Sequence, residues 1–108
     1  MKVFEYESVV IKLGENALEN TQLIKDALPN YTWIHLKSFP SGHVIIETEE
    51  TTPALLSHAA SICLQGTKQK KMKNVVTSVT SISNLYLTDK MGEVEFKSNR
   101  KVLSIKIS

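Results

Sequence analysis

Residues 33–46 read WIHLKSFPSGHVII. A proline-serine-glycine turn signal at residues 40–42 separates two runs, residues 31–36 and residues 43–48, that are rich in aromatic and β-branched side chains. The pattern predicts a strand on either side of a turn. A tryptophan and two histidines lie within these strands, and their role depends on which face of the sheet they occupy.

The residues before this stretch predict two more strands and a helix. Residues 3–14, VFEYESVVIKLG, favour two short strands joined at residues 7–8. Residues 19–30, ENTQLIKDALPN, have apolar residues at helical spacing, with Asn20 as the expected N-cap and Pro29 as the stop. A short amphipathic helix packed on the sheet is expected here.

A second helix has stronger signals. Thr52 is the expected N-cap, Pro53 stands at the first helical position, and Gly66 follows the last turn. The apolar residues between them recur at helical spacing: Leu55, Leu56, Ala59, Ile62 and Cys63. This segment is therefore predicted to be the principal core helix.

The C-terminal part predicts strands. Residues 74–80, NVVTSVT, favour one strand, and residues 93–107 favour a terminal hairpin that turns at residues 98–100. Alternation predicts that the apolar side chains of this hairpin point inward: Val94, Phe96, Leu103, Ile105 and Ile107. The expected fold is α+β, a single domain over residues 1–108 with a mostly antiparallel or mixed sheet and two main helices.

Composition limits the class of protein. Hydrophobic residues at 42% and charged residues at 22% are typical of a folded globular domain and argue against disorder. No apolar run reaches the roughly 20 residues of a membrane span, and the N-terminal residues lack a signal-peptide pattern, so we expect an intracellular protein, cytoplasmic or nuclear. The single cysteine, Cys63, lies in an apolar run and is expected to be a buried, inert thiol.

Positive charge is concentrated in the second part of the chain. Residues 1–67 contain four Lys and eight Asp or Glu, whereas residues 68–108 contain nine Lys or Arg and three Asp or Glu. The densest run is KQKKMK, with Lys68, Lys70, Lys71 and Lys73. Clustered lysines bind phosphate oxygens of nucleic acids, although such a run is also compatible with a simple solvated loop.

Familiar catalytic motifs are absent from the sequence. It contains no glycine-rich phosphate loop, nucleophile elbow, HExxH or CxxC pattern. A metal-dependent or hydrolytic site that uses His35, His43 and Glu15 is a minor alternative, because metal sites normally need three or four ligands. We therefore expect a protein that is not an enzyme and that carries no cofactor or metal.

The aromatic strand leaves two interpretations open. Alternation places Trp33 and His35 on one face of the strand, with Ile34 and Leu36 on the other. If the first face is open, the two rings offer a surface for an unpaired base; if it is buried, Trp33 is a core aromatic. Similarly, the turn before His43 either presents backbone N–H groups to an anion or serves only chain geometry.

In order and spacing, these elements resemble the NFACT RNA-binding domain family. Residues 14–20 match its Gly-x-Asn-Ala-x-x-Asn element, residues 33–35 its Trp-x-His pattern, residues 41–44 a variant of Gly-Ser-His-Val, and residues 92–94 its late Gly-x-Val hairpin. The resemblance covers residues 10–107, and the layout is most similar to the small stand-alone branch of the family.

The resemblance implies a non-enzymatic nucleic-acid-binding domain. Large members of the family act on stalled, tRNA-blocked large ribosomal subunits, and the stand-alone branch is associated with DNA. The implied partners are therefore RNA, including tRNA or rRNA in a ribosome-associated setting, or DNA, with the ribosome as a further partner. The sequence does not define the oligomeric state.

These observations give one hypothesis and one alternative. In the hypothesis, the phosphate backbone is bound by Lys68, Lys70, Lys71, Lys73 and Arg100. The site is shaped or contacted by Trp33, His35, Ser41, Gly42 and His43. In the alternative, the chain is a protein-interaction module whose basic part docks on a ribosomal or chaperone partner.

Overall fold

A six-stranded antiparallel sheet forms the centre of the computed structural model, which describes residues 1–107. Two helices and a separate two-stranded hairpin pack against this sheet. In chain order, the elements are β1 (Lys2–Tyr6), β2 (Val9–Leu13), α1 (Ala17–Asp26), β3 (Thr32–Leu36), β4 (Val44–Ile46), α2 (Pro53–Gln65), β5 (Val75–Ser81), β6 (Leu85–Leu87), β7 (Val94–Phe96) and β8 (Leu103–Ile107). The predicted α+β class, the mostly antiparallel sheet and the two main helices are confirmed.

The opening stretch supplies two central strands. The sheet order is β1-β2-β4-β3-β5-β8, and every neighbouring pair is antiparallel. Strands β3 and β4 pair directly, with Trp33 opposite Ile45 and Ile34 opposite Val44. The two predicted strands are therefore confirmed, and each has a further neighbour. The residues that connect them form a loop with a bend at residues 37–39, so the turn expected at residues 40–42 is wrong in position.

The two faces of the sheet have separate cores. On one face, Ile34 and Leu36 of β3 pack with Leu55, Ala59 and Cys63 of α2, and all five side chains are buried. The opposite face is covered by α1 and the β6–β7 hairpin, and the buried residues there are Leu23, Ile24, Trp33, Ile45, Ile82 and Leu85. Since both faces are covered at its centre, β3 has an almost continuous buried pattern.

Helix α2 begins and ends as predicted. The Thr52 hydroxyl accepts a hydrogen bond from the Leu55 N–H at 3.1 Å, Pro53 is the first helical residue, and Gly66 forms the C-cap. Cys63 is fully buried on this helix, and burial raises the pKa of its thiol, as expected for an inert cysteine.

Helix α1 begins four residues earlier than the cap predicted from sequence. Asn16 is the N-cap, and its side-chain oxygen accepts a hydrogen bond from the Glu19 N–H at 2.9 Å. The prediction that Asn20 caps the helix is wrong, because Asn20 lies inside α1 and is buried. Pro29 follows the end of the helix, as predicted.

The predicted terminal hairpin is also wrong. Strand β7 pairs with β6, and β8 joins the large sheet as the outer neighbour of β5. Ile105 and Ile107 pack against the α2 core, whereas Val94 and Phe96 pack on the opposite face and Leu103 is 60% exposed. Both pairings satisfy the alternation that suggested a hairpin, so alternation alone does not identify the partner strand.

The buried Asn84 side chain holds the chain where β7 ends. Its Nδ2 donates hydrogen bonds to the Ser98 carbonyl at 2.9 Å and to the Thr80 hydroxyl at 3.0 Å, and its Oδ1 accepts from the Ser98 N–H at 2.9 Å. These contacts hold Ser98 beside the end of β5, which lets the following residues continue as β8. No helix among residues 1–107 has both the length and the apolar character required to cross a membrane.

We expect Asn84→Ala to lower the free energy of unfolding by about 1–3 kcal/mol, because the Ser98 N–H and carbonyl lose their hydrogen-bond partner. Urea denaturation followed by circular dichroism measures this change. Asn30→Ala, at an exposed position, is the control and should change stability by less than about 0.5 kcal/mol. Equal stability of the two variants would contradict this role of Asn84.

Candidate nucleic-acid interface

Asn20 connects α1 to the start of β4. Its side-chain oxygen accepts a hydrogen bond from the His43 N–H at 3.1 Å, and the Gly14 N–H donates to the His43 carbonyl at 3.0 Å. A Cβ atom on Gly14 would lie 2.0 Å from the Asn20 oxygen, and one on Gly42 would lie 2.0 Å from the Gly14 carbonyl oxygen. The close approach of three backbone segments therefore requires glycine at both positions.

Gly92 docks the β6–β7 hairpin onto α1. Its φ is +81°, in the region that glycine adopts most readily, and a Cβ atom would lie 3.0 Å from both the Cα and the Cβ of Ala17. The Gly92 N–H donates a hydrogen bond to the Thr21 hydroxyl at 2.6 Å. The motif positions Gly14, Ala17 and Asn20, together with Gly42 and Gly92, thus form one packing constellation.

An aromatic cluster lies beside this constellation. The rings of Trp33 and His35 are nearly parallel, with centroids 5.7 Å apart, and the His43 ring stands almost perpendicular to both, at 5.5 Å and 5.0 Å. Phe96 of β7 packs against Trp33 at 5.6 Å. Trp33 is 2% exposed and His43 is 3% exposed, so the core interpretation of Trp33 is correct and its ring does not lie on an open face. His35 is half-buried.

Both histidines of the cluster are neutral near pH 7. Burial lowers the pKa of His35, and burial together with the nearby charge of His35 lowers the pKa of His43 to about 3. A backbone hydrogen bond at Gly92 opposes the shift of His43 without reversing it. The pair therefore does not supply cationic charge for phosphate.

A cavity of about 470 Å³ opens between this cluster and the hairpin. The sheet contributes Trp33, His35 and Ser78 to its walls, His43 lies at the start of β4, and the hairpin contributes its turn at residues 90–94. The Trp33 Nε1 and the His43 Nδ1 are buried without a hydrogen-bond partner in the described chain. Two polar atoms of the cavity-lining residues are thus unsatisfied.

The lysine run forms an exposed turn between α2 and β5. Its four lysines are solvent-exposed, and Asn74, with φ of +61°, leads from the run into β5. Two other exposed lysines lie at the same end of the sheet: the Lys37 N–H donates to the Val76 carbonyl at 2.9 Å, and Lys106 pairs with Val76 from the other side. We call this group the basic end; it comprises Lys37, Lys68, Lys70, Lys71, Lys73 and Lys106.

The remaining predicted site residues lie elsewhere or are engaged in packing. Arg100 is exposed in the short helical turn before β8, at the opposite end of that strand from the basic end. The Ser41 hydroxyl accepts a hydrogen bond from the Leu36 N–H at 3.2 Å and lies 3.3 Å from the Cys63 thiol. The His43 N–H is bonded to Asn20 and is not presented to an anion.

The minor metal or hydrolytic hypothesis gains no geometric support. Glu15 pairs with the N-terminal amino group at 2.9 Å and does not line the cavity that contains His35 and His43. Across residues 1–107 there is no group of three or more His, Cys, Asp or Glu side chains placed to hold a metal ion. His58 is exposed and stacks on Tyr6, with ring centroids 4.4 Å apart.

Sequence reasoning missed Lys37 and Lys90. Lys37 lines the cavity and belongs to the basic end, and Lys90 lines the cavity from the hairpin turn. Each is a single lysine without a charged neighbour of the same sign in sequence. Their proximity to the site follows from strand register and hairpin docking, which depend on long-range contacts.

Comparison with known proteins identifies a family and shows a likeness to solved structures. The family model described as "NFACT protein RNA binding domain" matches residues 2–98. The chain is similar to the solved C-terminal structure of the fibronectin/fibrinogen-binding protein from Streptococcus suis, with a TM-score of 0.88 and 20% sequence identity. That likeness covers 98% of this chain and 44% of that one, so this chain spans less than half of it. No curated protein matches the chain.

We expect Gly42→Ala to lower the free energy of unfolding by more than about 2 kcal/mol, because the new Cβ meets backbone that cannot move independently. Gly66→Ala is the matched control. Its φ is −80°, and the nearest atom to the new Cβ is a Leu13 methyl at 3.5 Å, so the change should stay within about 1 kcal/mol. Chemical denaturation measures both; a Gly42→Ala protein as stable as the control would disprove the close approach.

We expect acidification below about pH 6.5, the unfolded pKa of histidine, to destabilise the protein through His43. Between that value and about pH 3, the unfolded chain binds a proton at this position and the folded chain does not. The free energy of unfolding therefore falls as pH falls, by up to about 1.4 kcal/mol per pH unit for one proton.

Denaturation of His43→Gln and of the control His58→Gln over this pH range tests the assignment. The His43→Gln protein should have a shallower pH dependence than the wild type, whereas the His58→Gln protein should retain the wild-type dependence. Identical slopes for His43→Gln and the wild type would show that His43 is not the group responsible.

Proposed function

The chain belongs to the family of NFACT RNA-binding domains, and from this premise we propose that it is a non-enzymatic, single-domain module that binds the phosphate backbone of RNA at its basic end. The observation that carries the proposal is the clustering of six exposed lysines at one end of the sheet. Such a cluster attracts a polyanion and releases its condensed counterions on binding.

The residues of the site have different roles in this proposal. Lys68, Lys70, Lys71 and Lys73 contact phosphates directly because their side chains are exposed on a turn. Arg100 contacts a more distant phosphate, since β8 separates it from the run. The other predicted residues shape the site from within: Trp33, His35 and His43 form the aromatic cluster, and Ser41 and Gly42 hold the loop before β4.

Several observations support binding without catalysis. The two cavity histidines are neutral, and no group of three or more His, Cys, Asp or Glu side chains among residues 1–107 is placed to hold a metal ion. Cys63 is buried with a raised pKa, the opposite of an activated nucleophile. These features fit recognition of a ligand by charge and shape.

The setting that we propose is the interior of the cell, in the cytoplasm or the nucleus. The family supports RNA as the partner. Within that class we propose tRNA or rRNA, in a ribosome-associated setting, with DNA as the competing nucleic acid. The ranking of these ligands in one assay decides among them.

We expect saturable binding to a labelled tRNA, a single-stranded RNA or a duplex DNA, with an affinity that falls steeply with salt, as measured by fluorescence anisotropy. Lys71→Ala combined with Lys73→Ala should weaken binding to every ligand. On single-stranded RNA, each lost phosphate contact should lower the slope of log K against log salt by about 0.7.

The control carries Lys2→Ala and Lys25→Ala, which remove the same charge from exposed positions outside the basic end. This control should retain most of the wild-type slope of log K against log salt. Both double variants lose the same net charge, so a difference between their slopes reports lost phosphate contacts at the basic end. Equal slopes for the two double variants would remove the lysine run from the site. An absence of binding at low salt would favour the protein-interaction alternative, a module that docks on a ribosomal or chaperone partner.

A further inference from the structure

We propose that the cavity between the Trp33–His35–His43 cluster and the β6–β7 hairpin binds one unpaired nucleobase of the bound strand. The inference rests on the proposed function and adds a second mode of recognition to it. Its volume of about 470 Å³ falls within the roughly 300–1,000 Å³ that is usual for small-molecule sites. The cavity lies on the sheet face that also carries Lys37 and Lys106.

The walls suit a flat aromatic ligand. The ring planes of Trp33 and His35 lie within 4° of parallel, and the His43 ring stands at 85° to that of His35. The three rings therefore contribute both faces and edges to the cluster. His35 is the accessible ring of the three, because the other two are almost completely buried. Single-stranded RNA is commonly recognised by stacking unpaired bases on such rings, histidine included.

Two polar ring atoms of the cavity-lining residues are buried without a hydrogen-bond partner. Trp33 Nε1 is a hydrogen-bond donor without a partner. His43 Nδ1 also lacks a partner, and in a neutral imidazole this nitrogen is a donor or an acceptor according to the tautomer. A nucleobase edge carries both donors and acceptors and can pair with either tautomer, whereas a fully charged phosphate has only acceptors.

The charges at the mouth orient the strand. Lys37 stands at the sheet side of the cavity, and Lys90 and Glu93 stand on the hairpin side. A phosphate is attracted to Lys37, which continues into the basic end, whereas the opposite charges of Lys90 and Glu93 offset each other on the hairpin side. The backbone therefore runs along the lysines of the sheet while a base turns inward.

The single tryptophan of the chain makes the test direct, because its indole N–H gives one unambiguous NMR signal. The wild-type protein is titrated with each of the four ribonucleoside monophosphates and, in parallel, with ribose 5-phosphate. We expect at least one nucleotide to shift the indole signal with saturation, and ribose 5-phosphate, which lacks a base, to leave it unchanged. No shift with any nucleotide, or the same shift with ribose 5-phosphate, overturns the proposal.

A second experiment measures the contribution of the base to strand binding. The protein is titrated with a labelled single-stranded RNA of about ten nucleotides and with an abasic ribose-phosphate oligomer of equal length. The wild type should bind the RNA about five- to tenfold more tightly, the size expected for one stacked base. His35→Ala should remove most of that preference, and His58→Ala, the control outside the cavity, should retain it.

The outcomes separate this inference from the proposed function. Equal binding of both oligomers, with a steep salt dependence, would overturn the base pocket and leave the phosphate site intact. No binding of either oligomer would overturn the phosphate site, and the monophosphate titration then decides the base pocket independently. Equal loss of preference in His35→Ala and His58→Ala would also count against the cavity as its source.

Discussion

The hydrogen bond between the Asn20 side chain and the His43 N–H is the contact on which the rest of the site depends. It joins α1 to the first residue before β4, and it forms only where Gly14 and Gly42 allow the backbones to approach. Once α1 is fixed there, Ala17 and Thr21 present the surface on which Gly92 docks. The cavity is therefore a product of helix placement, and its two sides are held by elements that are distant in sequence.

Local signals in the sequence predicted local structure well. The break in the strand pattern after β3 and the cap at Thr52 each act over a few residues, so their consequences were visible without the fold. The wrong cap for α1 shows the limit of this reasoning: Asn16 and Asn20 are both reasonable caps, and the choice depends on a tertiary partner for Asn20. Likewise, alternation in the last strands left their partners undetermined.

The sequence predicted the residue types of the candidate site better than it predicted their arrangement in space. Sequence identified the lysine run and the aromatic strand as separate features, but the face of Trp33 was undecided because both faces of β3 carry apolar residues. The sheet register adds Lys37 and Lys106 to the lysine run, and it separates Arg100 from them. The lysines therefore lie at the rim of the site, and the neutral rings of the aromatic cluster lie inside it, because burying a charge costs free energy.

The strand order also has a consequence for the synthesis of the chain. Strands β1 to β4 are contiguous neighbours in the sheet, and β5 and then β8 extend it beyond β3, so the sheet grows from one edge to the other in nearly the order in which the residues leave the ribosome. The hairpin can meet α1 only after Gly92 has emerged, 71 residues after Thr21. During translation, the hairpin side of the cavity is therefore missing until residues 85–96 have emerged, and the cavity forms only then.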